Sequence, residues 1–177
     1  MTSALMLYGF SLLYGFTGTT QIYQMAAVFQ SGTIPMATAM GVIVLILVGI
    51  GFKISAVPFH FWAPDVYEGS ASPVAGFLST ASKAAGFSVL IRLFTTVFPD
   101  SAPVWGIIVA ALSVASMTFG NLQAINQKSI KRLLAYSSIA QAGYVLIGVA
   151  AISKLGSMGV VFYLMAYLVT NLAAFGI

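Results

Sequence analysis

The sequence predicts an all-α fold: a polytopic transmembrane helix bundle with one helix broken at a proline. Three observations carry this. Hydrophobic residues make up 60% of the chain and charged residues only 6%, with a mean hydropathy of +1.02, whereas a soluble domain carries roughly a quarter of its residues charged. Apolar runs near the ~20 residues that cross ~30 Å of hydrocarbon recur along the chain. Lys53 is the first charged side chain in the sequence, it lies inside one of these runs, and Pro58 interrupts the run just after it. Proline removes a backbone donor and clashes with the preceding turn, so a helix breaks or kinks there.

The same composition excludes other classes. The net charge of +4 comes from cations spread over several segments, without a basic patch interleaved with aromatics, so no nucleic-acid partner is expected. The absence of Cys removes disulfides, thiolate zinc sites and cysteine-ligated clusters. A single histidine, His60, makes a multi-histidine metal site or a bis-histidine haem implausible. No cofactor is therefore expected in this chain. The start, from Met1 to Leu7, lacks a basic region and a small-residue cleavage site, so no signal peptide is read.

One transmembrane domain over 1–177, with about six spans, is predicted. The first run, 4–17, is short for a crossing and points to a piece of a longer chain. Gly18-Thr-Thr20 ends it, and Ile22, Met25, Ala26 and Phe29 then recur at helical spacing opposite Gln21, Gln24 and Gln30. That pattern predicts an interfacial helix capped by Thr19 or Thr20. The second span, 36–55, breaks at Ala56-Val57-Pro58 and resumes as an amphipathic helix over 59–67. The third, 73–98, starts on Pro73 with Ser72 as its cap. The fourth covers 104–124, the fifth 130–152 and the sixth 156–177, where the chain stops without a loop. Lys128, Lys131 and Arg132 form the cationic cluster, which places loop 125–132 on the cytoplasmic side by the positive-inside rule. Counting back, the 65–73 loop shares that side, and the Asp100 and Lys154 loops face the other.

Two lysines are costly where they stand. Lys83 lies ten residues after Pro73, roughly 15 Å along a helix and so near mid-membrane. Lys53 lies deep in the second span. A lysine at a helix centre costs about 2.5–3.5 kcal/mol on insertion scales, and such residues are usually functional. Taking a lysine out of water penalises its charged form, which eases proton exchange near neutrality. Two such lysines ~8 Å apart would repel by about 2 kcal/mol at an effective dielectric of ~20, the coupling a proton relay needs. Ser79, Thr80 and Ser82 are expected to surround Lys83, and Ser55 and His60 to flank the break. Ser137, Gln141 and Tyr144 recur as a polar stripe better turned to other helices or water than to lipid. Plainer readings stand beside these: lysines snorkel to the interface, His60 serves either structure or relay, Asp65 pairs near the surface, and the stripe serves packing.

The stretch Gly51-Phe-Lys-Ile-Ser-Ala-Val-Pro-Phe-His-Phe-Trp-Ala-Pro-Asp-Val-Tyr-Glu-Gly69 resembles a signature of the antiporter-like membrane subunits of respiratory complex I (NADH–quinone oxidoreductase). The likeness continues through Thr80-Ala-Ser-Lys83, through the segment from Phe119 to Tyr144, and through Tyr163-Leu-Met-Ala-Tyr167, so that it covers nearly the whole chain. The Pro-Asp-Val-Tyr-Glu form of the loop resembles the N (subunit 2) branch of the family. The resemblance implies an inverted-repeat antiporter-like fold with broken helices in corresponding places, of which this chain would be a central piece. It implies proton transfer through Lys53, matching the family's lysine beside a broken helix, and through Lys83, matching its central lysine, with His60 as relay or structural residue. The family's upstream glutamate and late lysine have no counterpart here.

The resemblance also implies other membrane subunits, the lipid bilayer and protons as partners. Quinone and NADH would be used by the parent complex outside this chain, and the expected location is a bacterial plasma membrane, with thylakoid or mitochondrial inner membrane as alternatives. Two other readings remain open: a subunit of a multisubunit sodium/proton antiporter or membrane-bound hydrogenase, and a scaffold bundle whose lysines pair with acids of a partner subunit.

Overall fold

The computed structural model describes residues 1–176. Their order is α1 (Thr2–Thr17), α2 (Ile22–Gln30), α3 (Met36–Ile54), α4 (Trp62–Gly69), α5 (Ser72–Ser79), α6 (Ala81–Val97), α7 (Ala102–Ile125), α8 (Ile130–Ala150) and α9 (Lys154–Gly176). Among the described residues five segments are long and apolar enough to cross a membrane: α3, the α5–α6 pair, α7, α8 and α9. With 16 residues, α1 runs about 24 Å at ~1.5 Å per residue.

Small residues let the helices approach. In the antiparallel α1–α3 pair, a Cβ added at Gly9 would stand 2.9 Å from Ile46 Cγ1, and Gly49 faces Met6 in the same way. In the antiparallel α7–α8 pair, Gly120 meets the backbone of Ala140, and Gly143 meets Met117 and the Ser113 carbonyl. Ser113 Oγ donates to the Gly143 carbonyl at 2.7 Å, so the two helices are also tied by a hydrogen bond. Small residues at such crossings are how membrane helices gain van der Waals contact where lipid supplies no hydrophobic drive. The main core joins α1, α3, α6, α7 and α8 through residues such as Ile46, Phe87, Phe94, Trp105 and Val145. Trp105 is fully buried, packs edge-on to Phe94, and donates its Nε1–H to the Phe98 carbonyl at 2.9 Å, which holds the α6–α7 corner.

The break falls where Pro58 predicts it, and the freed backbone groups find partners. Ser55 takes the left-handed conformation (φ 60°), its N–H donates to the Phe52 carbonyl, and the Ala56 N–H donates to the Gly51 carbonyl. This is a Schellman end with serine in the place glycine usually fills. Trp62 Nε1 donates to Phe52 O, and the Val57 N–H donates to Ser116 Oγ of α7, both at 2.9 Å. Irregular backbone at membrane depth survives because protein groups satisfy it.

Several boundaries differ from the sequence expectation. The helix after the break starts at Trp62 rather than at 59, because residues 57–61 form turns. The third span is interrupted at Thr80 into α5 and α6. Ser79 Oγ and Thr80 Oγ1 both donate to the Gly76 carbonyl at 2.8 Å, the back-bonding that bends or breaks helices. The N-cap of α5 is Ala71, and Ser72 and Pro73 lie inside its first turn. The N-cap of α2 is Gln21, while Thr19 Oγ1 accepts from the Gln21 N–H and donates to Gln24 Oε1. At the α8–α9 turn, Ile152 adopts φ 46° and its side chain fills the space over Gly106.

Ion pairs at one end confirm that the loops before α5 and α8 share a side. Arg132 Nη1 lies 3.0 Å from Asp65 Oδ1 and 2.8 Å from Glu68 Oε2, and Lys131 Nζ donates to the Ser70 carbonyl at 2.8 Å. Beneath them Ala63 and Tyr67 of α4 pack with Ala135 and Ile139 of α8. At the other end the Pro99 and Ser153–Lys154 turns line one shallow cavity.

Two expected outcomes follow. Gly143→Ala places a methyl within 3 Å of the Met117 nitrogen and the Ser113 carbonyl oxygen, so it should lower stability by about 1–3 kcal/mol in thermal unfolding. Gly159→Ala, which meets nothing within 4 Å, should not. The Arg132 hydrogen bond holds the Glu68 carboxyl below its ordinary value, so this group favours folding above the unfolded pKa of ~4.3 and loses that contribution as pH falls through the folded value. Protection of the α4 amides, taken relative to their intrinsic exchange rates at each pH, should be constant from neutral pH down to about 5 and fall below about 4. Arg132→Gln should remove the difference.

Candidate functional site

The interruption at Thr80 sets the position of Lys83, which lies in the first turn of α6. Its side chain is 2% exposed. Nζ donates to the Ser138 carbonyl at 2.7 Å and to Ser138 Oγ at 2.5 Å, so the ammonium is held by α8. Among the described residues no carboxylate lies within ion-pair distance of it. Ser79 and Thr80, expected around Lys83, spend their hydroxyl protons on Gly76 instead.

Ser138 is buried and approached from two further helices. The Tyr67 hydroxyl of α4 and the Tyr167 hydroxyl of α9 both turn toward its side chain. Neither has closed a hydrogen bond, although both oxygens are buried. Asn171 lies one turn beyond Tyr167, 6% exposed, with its Nδ2 also unpartnered. Lys83, Ser138, Tyr67, Tyr167 and Asn171 thus form one buried polar cluster at the meeting of α4, α6, α8 and α9.

Lys53 sits in the last turn of α3, where a cation complements the carbonyl end of the helix. Its side chain is exposed, in contrast with Lys83. Its stem lies against α6 at Gly86, where a Cβ would stand 3.7 Å from Lys53 Cγ and 2.7 Å from Ile54 Cγ2. Both lysines therefore address one short stretch of α6, Lys53 about a turn beyond Lys83. His60 is 2% exposed, with its ring 4.4 Å from Phe61 and 4.8 Å from Phe119. Its Nδ1 and the nearby Ser55 Oγ are buried without partners, so the break carries two polar atoms able to engage water.

Two members of the stripe on α8, Ser137 and Gln141, turn toward α9, while Tyr144 is exposed. Ser137 and Gln141 line a cavity of ≈430 Å³ together with Tyr163, Tyr167, Thr170 and Asn171 of α9. Tyr163 donates its hydroxyl proton to Gln141 Oε1, and Tyr144 Oη accepts from Asn121 Nδ2 at 3.2 Å. Ser138, Tyr67, Tyr167 and Asn171 were not singled out in the sequence. A signal for part of this was present: Tyr163, Tyr167 and Asn171 recur at four-residue spacing, a polar row on one face of an otherwise apolar helix.

The chain is similar to known proteins over its whole length. Residues 1–177 match the family described as NADH:quinone oxidoreductase/Mrp antiporter, TM. NADH-quinone oxidoreductase subunit N of Heliobacterium modesticaldum is 49% identical over 178 residues, covering 99% of this chain and 37% of that protein. In a structure of respiratory complex I from Thermus thermophilus, a chain matches with a TM-score of 0.79 at 38% identity, over 99% of this chain and 36% of its own length. In a structure of the Mrp complex from Dietzia, a chain matches with a TM-score of 0.86 at 27% identity, over 98% of this chain and 32% of its own length. The chain thus spans about a third of the length of the relatives it matches. With five candidate spans and this likeness from end to end, it is an integral membrane protein and belongs to the NADH:quinone oxidoreductase/Mrp antiporter transmembrane family.

Proposed function

We propose that this chain is a proton-conducting section of an N-type (subunit 2) membrane subunit of an NADH–quinone oxidoreductase, with Lys53 and Lys83 as proton carriers. The observation that carries the reading is Lys83: a lysine 2% exposed, held by a serine and by no carboxylate among the described residues. A permanently paired structural ammonium would be expected beside an acid, since an uncompensated buried charge costs several kcal/mol. A lysine bonded to neutral oxygens gains and loses its proton without breaking an ion pair. Lys53, at the break and open on one side, would exchange protons with an acidic partner upstream and hand over to Lys83 along α6. His60 and Ser55 would hold water at the break.

In this reading the chain carries no redox group, and quinone and NADH react elsewhere in the complex, whose other membrane subunits are its neighbours. Loop 125–132, with Lys128, Lys131 and Arg132, would lie on the cytoplasmic side of a bacterial plasma membrane. The 49% identity to a subunit N supports this reading over a cation-antiporter subunit, which the TM-score of 0.86 to an Mrp complex chain keeps as the second reading.

In vesicles holding the assembled complex, Lys83→Ala and Lys53→Ala should each cut proton translocation by about tenfold or more. Near wild-type pumping in either variant would remove that lysine from the path. Sodium-dependent rather than quinone-dependent transport would favour the second reading. Ser129→Cys, labelled against the unsubstituted complex as background, gives an orientation probe: a membrane-impermeant maleimide should add label from the cytoplasmic face.

A further inference from the structure

The Ser138 hydroxyl is the point where Lys83 meets other polar groups. Lys83 approaches it from α6, Tyr67 from α4 and Tyr167 from α9. A serine hydroxyl offers one proton and two lone pairs. Lys83 occupies one lone pair at 2.5 Å, so the hydroxyl proton must point elsewhere. The two tyrosine oxygens turned toward it are buried and unpartnered, hence able to accept it.

The two tyrosines differ in what lies behind them. Tyr67 is fully buried among Ala63, Ala75, Ala135 and Ile139, with Trp62 and Phe175 against its ring. It leads into apolar packing. Tyr167 lines the ≈430 Å³ cavity between α8 and α9, beside Asn171, whose Nδ2 is unpartnered, and beside Thr170, Ser137 and Gln141. This space is an open groove rather than a closed cavity, with room for several waters and with Ser137, Gln141, Thr170 and Asn171 as polar partners along a partly apolar wall.

We propose that Ser138 and Tyr167 form a hydroxyl bridge through which Lys83 exchanges protons with the groove between α8 and α9. The inference rests on the proton-carrying reading of Lys83. In the outward step the Lys83 ammonium gives a proton to Ser138 Oγ, and Ser138 passes its own hydroxyl proton to Tyr167 Oη. Tyr167 passes its proton to water in the groove. One N–H bond breaks at Lys83 and one O–H bond forms on water, and each hydroxyl keeps one proton with its direction reversed. The reverse sequence reloads the amine. Tyr67 stays outside the path and packs α4 against α8.

The test uses vesicles holding the assembled complex, with proton translocation measured against electron transfer. Ser138→Ala and Tyr167→Phe should each lower translocation by about tenfold or more, while Ser138→Thr, which keeps a hydroxyl, restores it and Tyr67→Phe leaves it near wild type. Because Tyr167→Phe keeps the ring and removes one oxygen, it carries the test even where Ser138→Ala fails to assemble. The solvent deuterium effect on translocation should rise in Tyr167→Phe, which a packing defect would not produce. Full pumping in Tyr167→Phe alongside lost pumping in Lys83→Ala overturns the bridge and leaves the role of Lys83 standing. Loss in Tyr67→Phe with none in Tyr167→Phe also overturns it, by sending the path to α4. Full pumping in Lys83→Ala removes the reading beneath the bridge.

Discussion

The double hydrogen bond from Lys83 to Ser138 is the constraint on which the rest of the arrangement depends. An ammonium 2% exposed inside an apolar bundle must find oxygen, and it finds the carbonyl and the hydroxyl of a single residue on α8. A carbonyl in mid-helix already accepts one intrahelical bond, and its second lone pair takes the lysine. The long Lys83 side chain spans from α6 to α8 to make this contact, and α8 in turn is held by its tight crossing with α7 at Gly120 and Gly143 and by the Ser113 hydrogen bond. The packing of small residues and the placing of the charge are therefore one problem. Loosening α7 from α8 would leave a desolvated ammonium without its acceptors, a cost of several kcal/mol.

The two breaks serve the same geometry in different ways. At Ser55 the chain leaves the helix altogether and α4 re-enters beside α8, which brings Tyr67 against Ala135 and Ile139. At Thr80 the helix is only interrupted, by two hydroxyls drawn to one carbonyl, and Lys83 lies in the turn that follows. The first break consumes donors and acceptors from α3, α7 and Trp62 to keep its backbone satisfied. The second is satisfied locally. A proline and a Ser-Thr pair thus reach different degrees of disruption by different means: one removes a donor, the other competes for an acceptor.

Much of this was legible in the sequence. Apolar runs and prolines mark most helices within a few residues, because length and the loss of an N–H are local properties. The Arg132 pairing was half legible: the cation cluster and the acidic loop were assigned to one side, and the ion pairs to Asp65 and Glu68 agree. The site was less legible. Ser79, Thr80 and Ser82 are close to Lys83 in sequence, yet the partner comes from Ser138, 55 residues away. Local hydroxyls on a helix prefer the carbonyl a turn behind them, so neighbours in sequence are poor candidates for a long side chain that reaches outward. The choice between Ser137 and Ser138 is also invisible to a periodicity argument. Adjacent residues point about 100° apart on a helix, and only the tertiary position of Lys83 relative to α8 decides which one meets the lysine.

Electrostatics then ranks two levels of α8, its first turn and its middle. The Arg132 pairs are exposed to solvent, which screens them, so they orient α4 without fixing it strongly. Six residues later the same helix holds a charge for which losing its acceptors would be far more costly. The apolar contacts of Ala63 and Tyr67 with Ala135 and Ile139 run from the first level past the second and join them. A proton leaving Lys83 cancels the larger of the two terms, because a neutral amine no longer needs two acceptors. The tie between α6 and α8 is then weaker. In a bundle built this way the lysine's charge state and the grip between helices are coupled by the same two hydrogen bonds.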